Sequence, residues 1–408
     1  MGNNEKKLLA YVGTWPLTRQ TPSHPIPSGI HVFDVNAESG ELSEIQYCAM
    51  DKMTSMFCFS PDGRFLYATD EDRNTGGHFA AGGSVLSFAI DGETGRLSHI
   101  NARSSVGACP TYINIDRTGR YVFAANHGTK ERLIRSKRRD DGTFFVDTIS
   151  DEGSDAVFRT GPDGALSEAV DVVVFPDVST TPVPMAVGVH PHCVVPDPTN
   201  RFLLTCEKGG DRIYVHRIDH ESGKLTPAEH PYFTTQTHAA PRHIVFHPTL
   251  PYFFVCYEVG GGVGSYRFDP DTGRITELDM ASAFGAGFGR YDGLNADIAI
   301  HGSGRFLYVS VRTGTLFFPN PNGSPPGAVA VFSIDPGTGA LTLIQRLDTL
   351  GENTRALAFT PDSRYLFACS IKDDLVVRYS CDPDTGLLSD AQPAAQLLCP
   401  SSIHFLTL

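Results

Sequence analysis

Four side chains of this 408-residue chain combine into recognisable chemistry: His192, Arg242, Glu258 and Arg312. An imidazole can accept a proton from water, or exchange one with carbon, near neutral pH. Two guanidinium groups beside it can grip a carboxylate or phosphate or stabilise a developing oxyanion, and a carboxylate can orient either partner. Such a set reads as a general acid/base site for a small anion. Arg355, His190, Glu71, His127, Lys208 and Asp297 are assigned to substrate binding around it. The ten positions run from 71 to 355, so a scaffold that returns repeatedly to one place must gather them.

Two repeated phrases describe that scaffold. The first runs from an apolar strand through a tight turn and a basic or small residue into an aromatic-rich strand, and reads as a β-hairpin. It occurs six times, at 60–65, 116–121, 198–202, 247–252, 301–306 and 360–365. The second is a polar turn whose Gly stands two residues before an aliphatic side chain. It occurs seven times, with the Gly at 40, 95, 164, 223, 273, 339 and 386. Seven turns at a mean spacing of about 58 residues imply seven units, each of strand A, turn, strand B, loop, strand C, turn and strand D.

The expected fold is therefore all-β, a seven-bladed β-propeller with four antiparallel strands per blade. The chain starts on a strand B, Leu8 to Thr14, and ends on an orphan strand A, Ser402 to Leu406. The C-terminal strand is expected to join the N-terminal blade and close the ring, which removes an exposed sheet edge. One domain is expected over 1–408, with 1–7 as a tail and 129–153 as a mobile insertion loop; an open set of β-sandwiches is the competing arrangement.

In a four-strand meander the start of A, the end of B, the B–C loop and the D–A loop share one face, and the repeated turns occupy the other. The long segments Arg73 to Gly83, Asn126 to Gly153, Asp177 to Val189, Asp279 to Asn295 and Thr313 to Gly327 all fall on the first face, which marks it as the functional side. Aligning the units places Ser55, Thr111, His192, Arg242, Ala296 and Arg355 at the start of A, and Glu71, His127, Lys208, Glu258, Arg312 and Ile371 at the end of B. These positions line the channel mouth, and the four chemical residues fall in three adjacent blades. Burying grouped cations is costly without anions, so a small anionic ligand is the natural partner.

Two other uses of the same residues stay open from sequence alone. One is a solvated channel in which Arg–Glu pairs hold the blades together. The other is a metal site at His190/His192 or His243/His247, against which stand the missing carboxylate-rich ligand set of a hard cation and the place of His247 at the opposite face's turn. No metal and no cofactor is assigned. The basic run Lys130 to Arg139 is either a solvated surface or an anion-attracting lid. The Gly-rich stretch from Gly285 to Gly293 lacks the strand-to-helix setting of a phosphate loop.

Composition agrees with a large buried core: 41% of residues are hydrophobic and 19% charged, while 40 Gly and 28 Pro argue for many turns rather than long helices. The net charge of −13 speaks against a nucleic-acid partner. A polar N-terminus and the lack of an 18-residue apolar run lead to the expectation of a cytoplasmic protein with no membrane partner. Nine Cys without a C-x-x-C pair are expected as reduced thiols packed as small hydrophobes. A closed ring with buried edges is expected as a monomer or weak homodimer.

At these residues the sequence resembles the lactonase family of seven-bladed propellers, which contains 6-phosphogluconolactonases and 3-carboxy-cis,cis-muconate lactonizing enzymes. The resemblance rests on Tyr11-Val12-Gly13-Thr14, on the run from Ser60 to Tyr67, on Pro241-Arg242-His243 and on the run from Gly304 to Ser310. It implies His192 as catalytic acid/base, Arg242 and Arg312 as the paired arginines and Glu258 as the carboxylate. Tyr257 and Val311 stand where Asn commonly precedes the Glu and the Arg, and Val189-His190-Pro191-His192 replaces a Pro-His-Ala-His run. The resemblance implies a lactone hydrolase acting on a small anionic or sugar-derived lactone, with a cycloisomerase acting on a polycarboxylate muconate as the alternative. A non-catalytic interaction scaffold is the third possibility, since a fold does not fix a function.

Overall fold

Each copy of the first phrase is a turn pinned by its own side chains. Asp116 Oδ1 accepts the backbone N–H groups of Arg120 and Tyr121 at 2.7 and 2.8 Å, and Asp197 does the same for Arg201 and Phe202. Ser60 Oγ accepts Phe65 N–H at 2.9 Å. Such side-chain acceptors replace the ladder partners that the turn residues lack.

In the computed structural model, which describes residues 7–15, 28–50, 52–74, 82–129, 132–178, 188–285, 293–312 and 327–408, these turns join seven four-stranded antiparallel sheets. Six blades run outward from the axis in chain order, beginning with the inner strands Thr54–Phe59, Pro110–Ile115, Pro191–Pro196, Pro241–Phe246, Leu294–Ile300 and Thr354–Phe359. They are numbered 2 to 7 here. Blade 1 takes its inner strand from the other end of the chain: Pro400–Thr407 pairs with Leu8–Thr14, with Tyr11 opposite His404 and Val12 opposite Ile403. The expected ring closure is thus present.

The two phrases lock each blade to the next. The aromatic that follows the turn in one blade lies on the Gly of the second phrase in the following blade: Phe65 on Gly164, Tyr121 on Gly223, Phe202 on Gly273, Phe306 on Gly386 and Tyr365 on Gly40. Gly386 shows why the residue type is required: its φ is +73°, and a Cβ there would collide with the Phe306 ring. Where the aromatic is Tyr, its hydroxyl also donates across the boundary, as from Tyr121 to Glu221 O at 2.9 Å and from Tyr365 to Glu38 O at 2.6 Å. Between these locks the facing sheets bury continuous apolar layers. Leu9, Tyr11, Ile30 and Val32 of blade 1, for example, pack on Phe57, Leu66, Leu86 and Phe88 of blade 2.

The segment expected as a mobile insertion loop is different. Within 129–153, Arg132–Arg138 pairs with Phe144–Ser150 as a separate two-stranded antiparallel hairpin. Arg135 and Lys137 each meet Asp147 at 2.7 Å across the strands, and Ile134 and Val146 lie on its other face. Residues 75–81, 179–187, 286–292 and 313–326, which belong to the other four long segments and to the Gly-rich stretch, lie outside the described residues. No disulfide joins any of the nine cysteines.

One buried acid sits between blades 3 and 4. Asp155 is fully buried, takes a 2.5 Å hydrogen bond from Thr205 Oγ1 at Oδ2 and has no partner at Oδ1 among the described residues. Burial pushes its pKa up to about 8, so at neutral pH the folded protein holds a proton that the unfolded chain has released. Its contribution is therefore complete below the ordinary carboxylate range and is lost as pH rises towards 8. Asp155→Asn, which keeps the shape and stays neutral, should remove that loss. Thermal unfolding from pH 5 to 9 should show the variant gaining on the wild type as pH rises, and a pH-independent difference would contradict this.

Candidate active site

The inner strand of every blade has one residue too many. Register shifts by one between Thr54 and Phe57, Pro110 and Tyr112, Pro191 and Cys193, Pro241 and His243, Asn295 and Ile298, Thr354 and Ala356, and Gly13 and Thr14 against the C-terminal strand. A bulge leaves its extra residue out of the ladder and re-aims the side chain. Thr111, His192, Arg242, Arg355 and Ser401 are the residues skipped singly, while Ser55 and Ala296 lie within the two longer gaps. A second tier sits just beyond the ends of strands B, where Trp15, Glu71, His127, Lys208, Glu258 and Arg312 follow or end the neighbouring strands.

Contacts between the tiers form two groups. In the first, Glu258 is the hub: Lys208 Nζ ion-pairs with its Oε2, Arg312 Nη2 lies 2.7 Å from Oε1 and Arg242 Nε lies 3.7 Å from Oε2. Lys208 Nζ also lies 3.2 Å from His127 Nε2, and Arg312 Nη2 donates to Asn295 O at 3.2 Å. In the second, Glu71 accepts from Ser55 Oγ and lies 3.3 Å from Arg355 Nη2. The Arg355 guanidinium stands 4.0 Å over the Trp15 ring, and Trp15 Nε1 donates to Ser55 Oγ at 3.0 Å.

Three buried cations thus surround one carboxylate. Burial alone would raise the Glu258 pKa, but Lys208, Arg312 and Arg242 hold it well below the usual range. His192, 4% exposed, is pressed well below the ordinary imidazole value, first by burial and then by Arg242 and Lys208. It is neutral at pH 7, and its Nδ1 has no hydrogen-bond partner among the described residues. Burial lowers the Arg355 pKa to about 10 against the pull of Glu71, so this group too is a cation at neutral pH.

His192, Arg242, Arg355 and Asp297 all line one cavity of about 120 Å³ on the axis, together with Ser55, Tyr112, His243 and Ser402. Glu258, Arg312, Lys208 and His127 are not in that wall; Glu258 reaches it through Arg242, and the His127 ring stands edge-on to His192 at 5.5 Å. His190 also lies outside: its Nδ1 is 2.8 Å from His127 O and its ring stacks on His127 at 4.4 Å. Asp297 is engaged by His243, whose Nδ1 lies 2.7 Å from Oδ1. Trp15 is a site residue that the repeat alignment misses, because it follows the strand B of the incomplete first blade; His243, which the sequence offers only as half of a metal pair with His247, instead follows Arg242 into the cavity wall. Among the described residues, no three His, Cys, Asp or Glu side chains gather into a metal-holding set, and His247 accepts from Thr249 and Leu250 N–H in a turn of the opposite face.

Fold and site together define a propeller whose axis carries a pocket with two guanidinium groups and an imidazole in its wall. The chain belongs to the family described as lactonase, seven-bladed β-propeller, whose sequence model matches residues 11–405. It is 23% identical over 400 residues to the 6-phosphogluconolactonase of Bacillus subtilis, covering 98% of this chain and 99% of that one. Identity to the 6-phosphogluconolactonase of Formosa agariphila is 26% over 381 residues, 93% and 96% of the two chains. The solved structure of the periplasmic gluconolactonase of Pseudomonas aeruginosa superposes with a TM-score of 0.80 over 98% of this chain and 99% of that one, at 24% identity, and shares the fold.

The hub carboxylate gives a direct test of the electrostatics. Glu258→Gln leaves Lys208, Arg242 and Arg312 uncompensated, so urea unfolding at pH 7 should show a loss of about 3 kcal/mol or more. Because the folded-state pKa of Glu258 is depressed, the gap from wild type should close as pH falls through and below the carboxylate range. A variant as stable as the wild type at pH 7 would contradict the hub.

Proposed function

We propose that the protein is a lactone hydrolase of the 6-phosphogluconolactonase type, acting on a small anionic or sugar-derived lactone in the central channel. The observation that carries this reading is the neutral, buried His192 with an unpartnered ring nitrogen beside Arg242 in the axial cavity. The names of the Bacillus and Formosa relatives, both 6-phosphogluconolactonases, support the substrate class.

The chemistry follows from the groups. His192 accepts a proton as a water molecule attacks the lactone carbonyl, which is general-base catalysis by an imidazole kept neutral by its surroundings. Negative charge develops on the carbonyl oxygen, where the Arg242 guanidinium stabilises it. Collapse of the tetrahedral intermediate breaks the bond to the ring oxygen, which takes the proton back from His192. The product is an open-chain hydroxy acid that ionises to its carboxylate. Arg355 across the cavity, with Lys208 and Arg312 behind Arg242, supplies the positive potential that draws in a phosphate or carboxylate on the substrate.

Incubation with 6-phosphogluconolactone should give ring opening above the spontaneous rate, and ring closure of 3-carboxymuconate in its place would assign the site to a cycloisomerase. His192→Ala should lower kcat by about 10²- to 10⁴-fold. Arg242→Ala should raise KM as well as lower kcat, because the guanidinium meets the ground-state anion too. Since His192 titrates well below 6.5, the acid limb of the kcat/KM profile should lie below that pH. Full activity of His192→Ala on every lactone the wild type cleaves would overturn the mechanism.

A further inference from the structure

Arg242 can serve a substrate only if its guanidinium points one way. Two of its edges are already held. Nη1 donates to Ala296 O and lies 3.2 Å from His243 Nε2, and Nε faces Glu258 at 3.7 Å. Nη2 makes no hydrogen bond to the described residues and is the edge left for a ligand. The contact with His243 is attractive only when Nε2 carries a lone pair, which requires the ring proton on Nδ1.

Asp297 supplies that condition. Its Oδ1 lies 2.7 Å from His243 Nδ1, so a carboxylate faces the ring nitrogen that must donate. The carboxylate is itself fixed: Oδ1 accepts Ile298 N–H at 2.9 Å and Oδ2 accepts Leu357 N–H from blade 7 at 2.8 Å. Its own backbone N–H donates to Ser310 Oγ at 2.8 Å. Tyr112 packs edge-on to the His243 ring at 5.0 Å, and His192 stands 5.1 Å away on the cavity side. A ring-sized apolar side chain would fill the same space without the desolvation cost of a buried carboxylate, imidazole and guanidinium in series.

We infer that Asp297 and His243 form a positioning relay: Asp297 fixes the proton on His243 Nδ1, and His243 Nε2 turns Arg242 so that Nη2 meets the substrate's anionic oxygen beside His192. Both residues thereby receive a role other than substrate binding or metal ligation. The identity of the anion rests on the lactonase reading; the relay itself is tested by anion binding alone.

His243→Phe removes the acceptor, whereas the amide oxygen of His243→Gln reaches the place of Nε2 and restores it. Calorimetric titration with inorganic phosphate and with 6-phosphogluconate, alongside turnover of 6-phosphogluconolactone, separates them. His243→Phe should lower kcat/KM by about 10²-fold, with both kcat and KM affected. It should weaken anion binding by about 10-fold or more, and His243→Gln should recover most of both. Asp297→Ala covers the case of a Phe variant that does not fold. It removes the acceptor that faces His243 Nδ1, frees the ring tautomer, and should weaken phosphate binding several-fold. Equal behaviour of the Phe and Gln variants, or unchanged affinity in Asp297→Ala, overturns the relay. A wild type that binds phosphate but opens no lactone overturns the lactonase reading and leaves the relay to be decided by the binding series; a wild type that binds neither anion overturns both.

Discussion

Seven inner strands must share one narrow axis, and everything functional in this molecule follows from how they meet there. A regular strand would send alternate side chains to the two faces of its own sheet, against the neighbouring blades. The one-residue bulge at the start of each inner strand breaks that alternation at the same height in all seven blades. Residues as distant along the chain as Ser55 and Ser402 thereby come to line a single cavity. The aromatic-on-glycine locks at the opposite face hold the blades in register, so the height of the bulges is set by packing far from the chemistry.

The pocket is electrostatically unbalanced by construction. Glu258 answers three cations and Glu71 one, while Asp297 is spent on a neutral imidazole. Burying excess positive charge costs stability, and that cost is offset in part by the apolar layers between blades. The excess is also what an anionic ligand relieves on binding. Burial keeps His192 neutral first, and the charges of Arg242 and Lys208 add to it, so in the proposed reading the cations that favour an anion also favour a neutral base.

The repeats made the fold and the two tiers legible, because each unit carries the same phrases at the same offsets and any one blade can be read from the others. His192, Arg242, Glu258 and Arg312 emerged at equivalent positions for that reason, and the structure gathers them, with Lys208 and His127 beside them. Sequence could not separate the cavity wall from the layer behind it, since that depends on the bulges, which no residue type announces. Nor could it show that Asp297 faces His243, a contact between blades 54 positions apart. The hairpin over 132–150 was hidden by its charge: a run of Arg and Lys reads as solvated loop until Asp147 is seen opposite Arg135.

The central claim is that one imidazole and one guanidinium meet an anion on the axis. A crystal structure of the protein soaked with 6-phosphogluconate tests it most directly. The account places a carboxylate or phosphate oxygen of the ligand within hydrogen-bonding reach of Arg242 Nη2, with the His192 ring facing the carboxylate carbon. Ligand density elsewhere on the surface, with the axial cavity holding only solvent, would contradict it.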